Sequence, residues 1–123
     1  MAAIIELIRE YVSCAAETKS VGTTGKKAVR RYNALHDRMR AIVDEVVSLG
    51  QDAVSEFAIV LDKEPASSWA AHHLVEKADL DSAMLTKCFA RVEREKAEAE
   101  AAGDLATAMG EGWWLEEWKA KKG

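Results

Sequence analysis

Apolar residues recur at steps of three and four through residues 3–19, with Ile4, Ile8, Tyr11, Val12 and Ala15 on one face. That spacing predicts an amphipathic helix. The run Ser20-Val21-Gly22-Thr23-Thr24-Gly25 breaks it, and Thr23 or Thr24 offers a cap for the next helix. The second segment has the strongest periodicity in the chain: Tyr32, Leu35, Met39, Ile42, Val46 and Leu49 form one seam. It covers too few heptads to require a coiled coil, so a helix packed in a bundle is expected, ended at Gly50 by a glycine cap.

A short third helix is predicted over residues 52–61, burying Val54, Phe57, Ala58 and Leu61. Pro65 fits the first turn of a fourth helix ending near Lys77, because a first-turn residue needs no amide donor. Ala70, His73 and Leu74 form its inward stripe, and Ala71 leaves room for close helix approach. Asp79 or Asp81 caps a fifth helix with Met84, Leu85, Cys88 and Val92 inside. The charged residues 91–102 are expected to project or to lie on the surface. Gly103 and Asp104 supply a turn and a new cap, and the closing helix is expected to distort near Gly110 and Gly112. The pattern predicts an all-α protein, about six helices in one domain over residues 1–123.

Composition agrees, since one proline and seven glycines are too few for a many-turned β protein and 49% hydrophobic content suffices for a core. Cys14 and Cys88 fit neither a disulfide framework nor paired metal-ligand spacing, so buried reduced thiols are expected. The apolar run at residues 2–16 contains Glu6, Arg9 and Glu10, which rules it out as a signal-peptide core or a membrane span. A cytoplasmic location without membrane contact is the expectation.

The net charge of -4 conceals an asymmetry: residues 19–40 carry seven basic side chains and one acid, whereas residues 41–118 carry 17 acids and six bases. On the second helix Lys26, Lys27, Arg30, Arg31 and Arg38 are expected opposite the apolar seam. That face lacks the aromatics that stack on bases, and the chain as a whole is acidic. No nucleic-acid partner is expected; an acidic surface suits a basic protein instead.

His72, His73 and Cys88 invite a zinc reading. Adjacent helical residues point about 100° apart, and no further cysteine or carboxylate arrives at ligand spacing, so no metal is expected. His73 reads as a core histidine and His72 as an exposed one. Serine-nucleophile, phosphate-loop and dinucleotide motifs are all missing, and Glu93-Glu95 or Glu116-Glu117 lack a partner that would tune them. Neither a cofactor nor catalysis is expected. Three of the four tryptophans fall at Trp113, Trp114 and Trp118. If Leu115 and Trp118 face inward, Trp113 lies on the far side and becomes an exposed aromatic anchor; a break at Gly110 or Gly112 would instead turn it inward.

From Tyr32 to Gly123, about three-quarters of the chain, the sequence resembles a family of small bacterial proteins, domain-of-unknown-function family two thousand and nineteen. The resemblance is carried by Asn33-Ala34-Leu35-His36-Asp37, by Leu61 before an acidic-proline turn, by Trp69-Ala70-Ala71 and by Leu115-Glu116-Glu117-Trp118 with the lysine-rich tail. It departs at Ser67-Ser68, where the family places Val-Arg, so no contact of that arginine carries over. The resemblance implies a small HEAT-like stack of helical hairpins and brings no catalytic residues.

These features lead to a non-catalytic protein-binding domain, monomeric or weakly dimeric. Its most concrete form is an immunity protein or antitoxin that occludes a basic bacterial toxin; the alternative is a regulatory or structural adaptor binding a housekeeping partner, or a self-associating dimer. The residues expected at the interface are Asp62, Glu64, Trp113, Glu116 and Glu117. Should they play no part, the basic face of Lys27, Arg30 and Arg38 is the next candidate.

Overall fold

The second helix shows how the seam becomes a core. Over Lys26–Leu49 (α2) the residues Leu35, His36, Met39, Ile42, Val43 and Val46 are buried, whereas Leu49, at the expected end of the seam, is exposed. Gly50 ends α2 at φ 107°, a conformation that disfavours any side chain, and donates its N–H to the Val47 carbonyl. The structure, a computed structural model, describes residues 2–22 and 24–123. Thr23, one of the two expected caps, lies outside the described residues. Thr24 does not cap α2: Gly25 occupies the N-cap position at φ 90°, with no side-chain cap.

Around α2 the order is α1 (Ala2–Val21), α3 (Gln51–Phe57), a 3₁₀ helix (Ala58–Asp62), α4 (Ser67–Lys77), α5 (Ser82–Ala101) and α6 (Leu105–Lys122). Among the described residues the protein is 87% helical and all-α, with six α-helices, one 3₁₀ segment and no strand. None of these helices is long and apolar enough to cross a membrane. Pro65 stands in the turn ahead of α4 rather than within its first helical turn, because Ala66 is the N-cap and its carbonyl accepts the first helical bond, from Ala70.

α1 and α2 form an antiparallel hairpin, shown by the ion pairs Glu17–Arg31 and Glu10–Arg38, whose sequence numbers rise on one helix as they fall on the other. Arg38 also reaches Glu45, so two members of the expected basic face clamp the hairpin instead. The buried stripe of α1 runs through Ile4, Leu7, Tyr11, Cys14, Ala15 and Thr18, leaving Ile8 and Val12 half-buried at its edge. α5 and α6 form a second antiparallel hairpin around Gly103 at φ 78°. α4 runs parallel to α6, as the contacts His72–Glu111 and Glu76–Trp114 show. The two hairpins meet through α4, where Ala70, Ala71, Leu74 and Val75 are completely buried.

Residues 91–102 do not project from the molecule. Val92 and Ala99 are buried, and the long Arg91 side chain is only 10% exposed. Nor does α6 distort at its glycines: it is one continuous helix, in which Gly112 lets the Lys96 side chain pass 3.2 Å from where a Cβ would stand.

Candidate functional site

Among the five expected interface residues, three share one surface. On α6, 100° per residue places Leu105, Met109, Trp113, Glu116 and Ala120 within an arc of about 80°. Leu105, Met109 and Trp113 are 66%, 54% and 66% exposed, forming an apolar ridge. Trp113, Glu116, Glu117 and Ala120 line a shallow depression on it, while Leu115 is buried and Trp114 and Trp118 are half-buried on the core side. Glu117 is bound to Lys121.

Asp62 and Glu64 lie elsewhere and already have partners. Asp62 pairs with Lys87. Glu64 accepts hydrogen bonds from Ser67, Arg91 and Arg94. Burial opposes its charge, but the Ser67 hydroxyl and the two guanidiniums prevail and hold its pKa below the usual carboxylate range. On the basic face, Lys26 and Arg30 line a shallow apolar depression with Val29, and Lys26, Lys27 and Arg30 have no ion-pair partner among the described residues.

The densest titratable cluster joins α4, α5 and α6. His72 is not exposed: only 13% of its side chain is accessible, and Trp114 packs edge-on against its ring at 4.4 Å. Its Nδ1 lies 2.7 Å from the Ser68 carbonyl, and its Nε2 lies 2.9 Å from Glu111 Oε1. A carbonyl only accepts, so Nδ1 carries a proton. Glu95 completes the group, with one ligand atom from each of His72, Glu95 and Glu111 all within 4.8 Å of one another.

Charge inside this cluster is shared. Burial pushes the Glu95 carboxyl up to about 7, and its hydrogen bond to Glu111 adds to the rise. Burial also opposes charge on Glu111, yet its bond to His72 wins and keeps its pKa low. For His72 desolvation is outweighed by the Glu111 carboxylate, raising the imidazole pKa. Glu111 Oε2 is buried without a well-formed hydrogen bond, as is Arg91 Nη1. Glu95 and Arg91 also wall a polar cleft of about 280 Å³ with Glu64, Ser68, Trp69 and Tyr32.

His73, one residue on, turns about 100° away toward the core, where its Nδ1 is hydrogen-bonded to the Tyr11 hydroxyl at 2.7 Å. It is the satisfied core histidine expected from the sequence. No family model, curated protein or solved structure matches the chain, and the functional reading therefore rests on these residues and their geometry.

Proposed function

We propose that this chain is a non-catalytic protein-binding domain whose recognition face is the outer side of α6. The observation that supports it is the ridge of Leu105, Met109 and Trp113, three large apolar side chains left in solvent at consecutive four-residue steps. Water-exposed apolar surface of this kind gains free energy when covered, and tryptophan is prominent among interface anchors. Glu116 and Glu117 border the ridge, and the acidic balance of residues 41–118 favours a basic partner. The most concrete form of the reading is a cytoplasmic immunity protein or antitoxin occluding a basic toxin, on the HEAT-like hairpin scaffold that the sequence resemblance implies.

Asp62 and Glu64 belong to this interface only if their ion pairs exchange partners, so the lead passes to Trp113, Glu116 and Glu117. The test is a titration against the partner that co-purifies from the native source, at two salt concentrations. Trp113→Ala should cost about 2 kcal/mol or more of affinity, through faster dissociation. Reversing Glu116 and Glu117 to Lys should slow association, with the difference shrinking at high salt. If all three variants bind like the parent, the α6 face is not the interface.

A second reading, a self-associating adaptor, is favoured by a different groove. Ile5 and Ile59 are about half exposed and, with Ile8, form the aliphatic wall of a depression of about 490 Å³ between α1 and the 3₁₀ segment. Sedimentation separates the two readings: concentration-dependent dimerisation abolished by Ile5→Lys and Ile59→Lys supports the adaptor, whereas a monomer at every concentration removes it.

A further inference from the structure

We propose that His72, Glu95 and Glu111 are a binding site for a divalent transition-metal ion of the zinc class. One imidazole and two carboxylates are the donors such an ion accepts, and here they come from three different helices. Atoms bound to one zinc at its usual distances stand about 3.4 Å apart in a tetrahedral site, so the present separations close with side-chain shifts of about 1 Å.

The surroundings match what a metal-binding histidine needs. The Ser68 carbonyl fixes the proton on Nδ1, so Nε2 is the atom that would exchange its bond to Glu111 for an ion, while Trp114 against the ring restrains its rotation. Glu111 Oε2 is a buried acceptor beside the cluster that no nitrogen or hydroxyl donor satisfies, and the proton that Glu111 shares with Glu95 is what an ion would replace. Two carboxylates so close repel one another unless something positive lies between them, and a divalent ion serves both at once.

Arg91 fills that role only in part, since its charge favours the ionised forms of Glu95 and Glu111 without a hydrogen bond to either. Its Nη2 binds Glu64 and its Nε binds Ser67, so its charge is largely engaged on the Glu64 side. Glu95 is shared between the cluster and the polar cleft, which gives an ion a route in and leaves room for water as a further ligand.

The alternative is a purely structural network in which protons alone join the three groups, and metal titration distinguishes the two. Zinc added to the full chain and followed by calorimetry should bind with one-to-one stoichiometry. Cobalt at the same site should give visible absorption bands that zinc abolishes. Glu95→Gln and Glu111→Gln should each weaken zinc binding by about a hundredfold or more, since losing even an outer-shell partner costs up to about that much. Glu98→Gln, an exposed acid on the same cleft, should bind like the parent.

Circular dichroism establishes that each variant folds. If His72→Gln does not, Glu95→Gln decides, because the amide keeps the carboxyl's shape at the cleft wall. Absence of one-to-one binding, or equal binding by the parent and Glu95→Gln, overturns the site. Neither result touches the α6 interface, which is tested by partner affinity.

Discussion

Tyr11 and His73 are fully buried or nearly so, and each satisfies the other's polar atom inside an aromatic cluster that includes Phe57. Tyr11→Phe removes the hydroxyl and leaves His73 Nδ1 unpartnered, so it should cost about 1–3 kcal/mol in denaturant unfolding. Burial, followed by the Arg40 charge, presses the His73 pKa down to about 3. The unfolded chain therefore takes up a proton that the native state refuses. Stability from this residue is complete above about pH 6.5 and falls as pH drops from there to about 3, by up to about 1.4 kcal/mol per unit. Unfolding midpoints across that range should show a steeper acid loss for the parent than for Tyr11→Phe/His73→Leu; equal slopes would mean that His73 is hydrated. Cys88 offers a second probe. Its thiol is fully buried, and burial pushes its pKa up to about 12, so a thiol reagent should label it only as fast as the protein opens. The inward setting of His73 follows from its place in the apolar stripe of α4, and was legible. The burial of His72 was not, because the residues that cover it, Glu111 and Trp114, lie 39 and 42 positions later on α6.

Helix boundaries depend on a few residues whose chemistry acts locally. Asp81 accepts the Met84 N–H and Asp104 the Thr107 N–H, so each starts its helix by satisfying an amide that the helix itself cannot. Asp81→Ala should lower stability by about 1 kcal/mol, whereas Asp81→Asn should be nearly neutral; equal losses would show that the carboxylate charge matters more than the cap. Gly103→Ala should also destabilise, because φ 78° is strained for a side chain even though the space around it is open. These signals sit within four residues of the boundary they set, which is why most boundaries were readable. Pro65 misled by two positions, since a first-turn proline and a proline in the preceding turn obey the same steric rule. The buried stripe of α1 was harder still. Its apolar residues occupy more than one face, and only packing against α2 and α3 decides that Leu7 and Cys14 are buried while Ile8 and Val12 lie at the edge.

At the scale of the molecule, one continuous core joins the α1–α2 hairpin to the α4–α6 layer, and the outer side of α6 stands apart from it. The division between core and surface was visible in the periodicity of α2, whose seam is buried from Leu35 to Val46. The meeting of His72, Glu95 and Glu111 was not, because no single helix contains more than one of them and the register between helices is set by packing. The same division makes substitutions on the two sides behave in opposite ways. Met39 and Ile42 are both 0% exposed, at the centre of the seam, where a carboxylate finds neither water nor a cation. Met39→Asp or Ile42→Asp should therefore lose about 4 kcal/mol or more and leave the domain largely unfolded by circular dichroism. Trp113→Ala removes a larger side chain, yet that side chain is 66% exposed, and its loss should change unfolding free energy by no more than about 0.5 kcal/mol. Chemical denaturation of the three variants in one buffer tests the contrast. A Trp113→Ala protein as damaged as Ile42→Asp would mean that the ridge of α6 supports the fold, and it could then no longer be assigned to recognition.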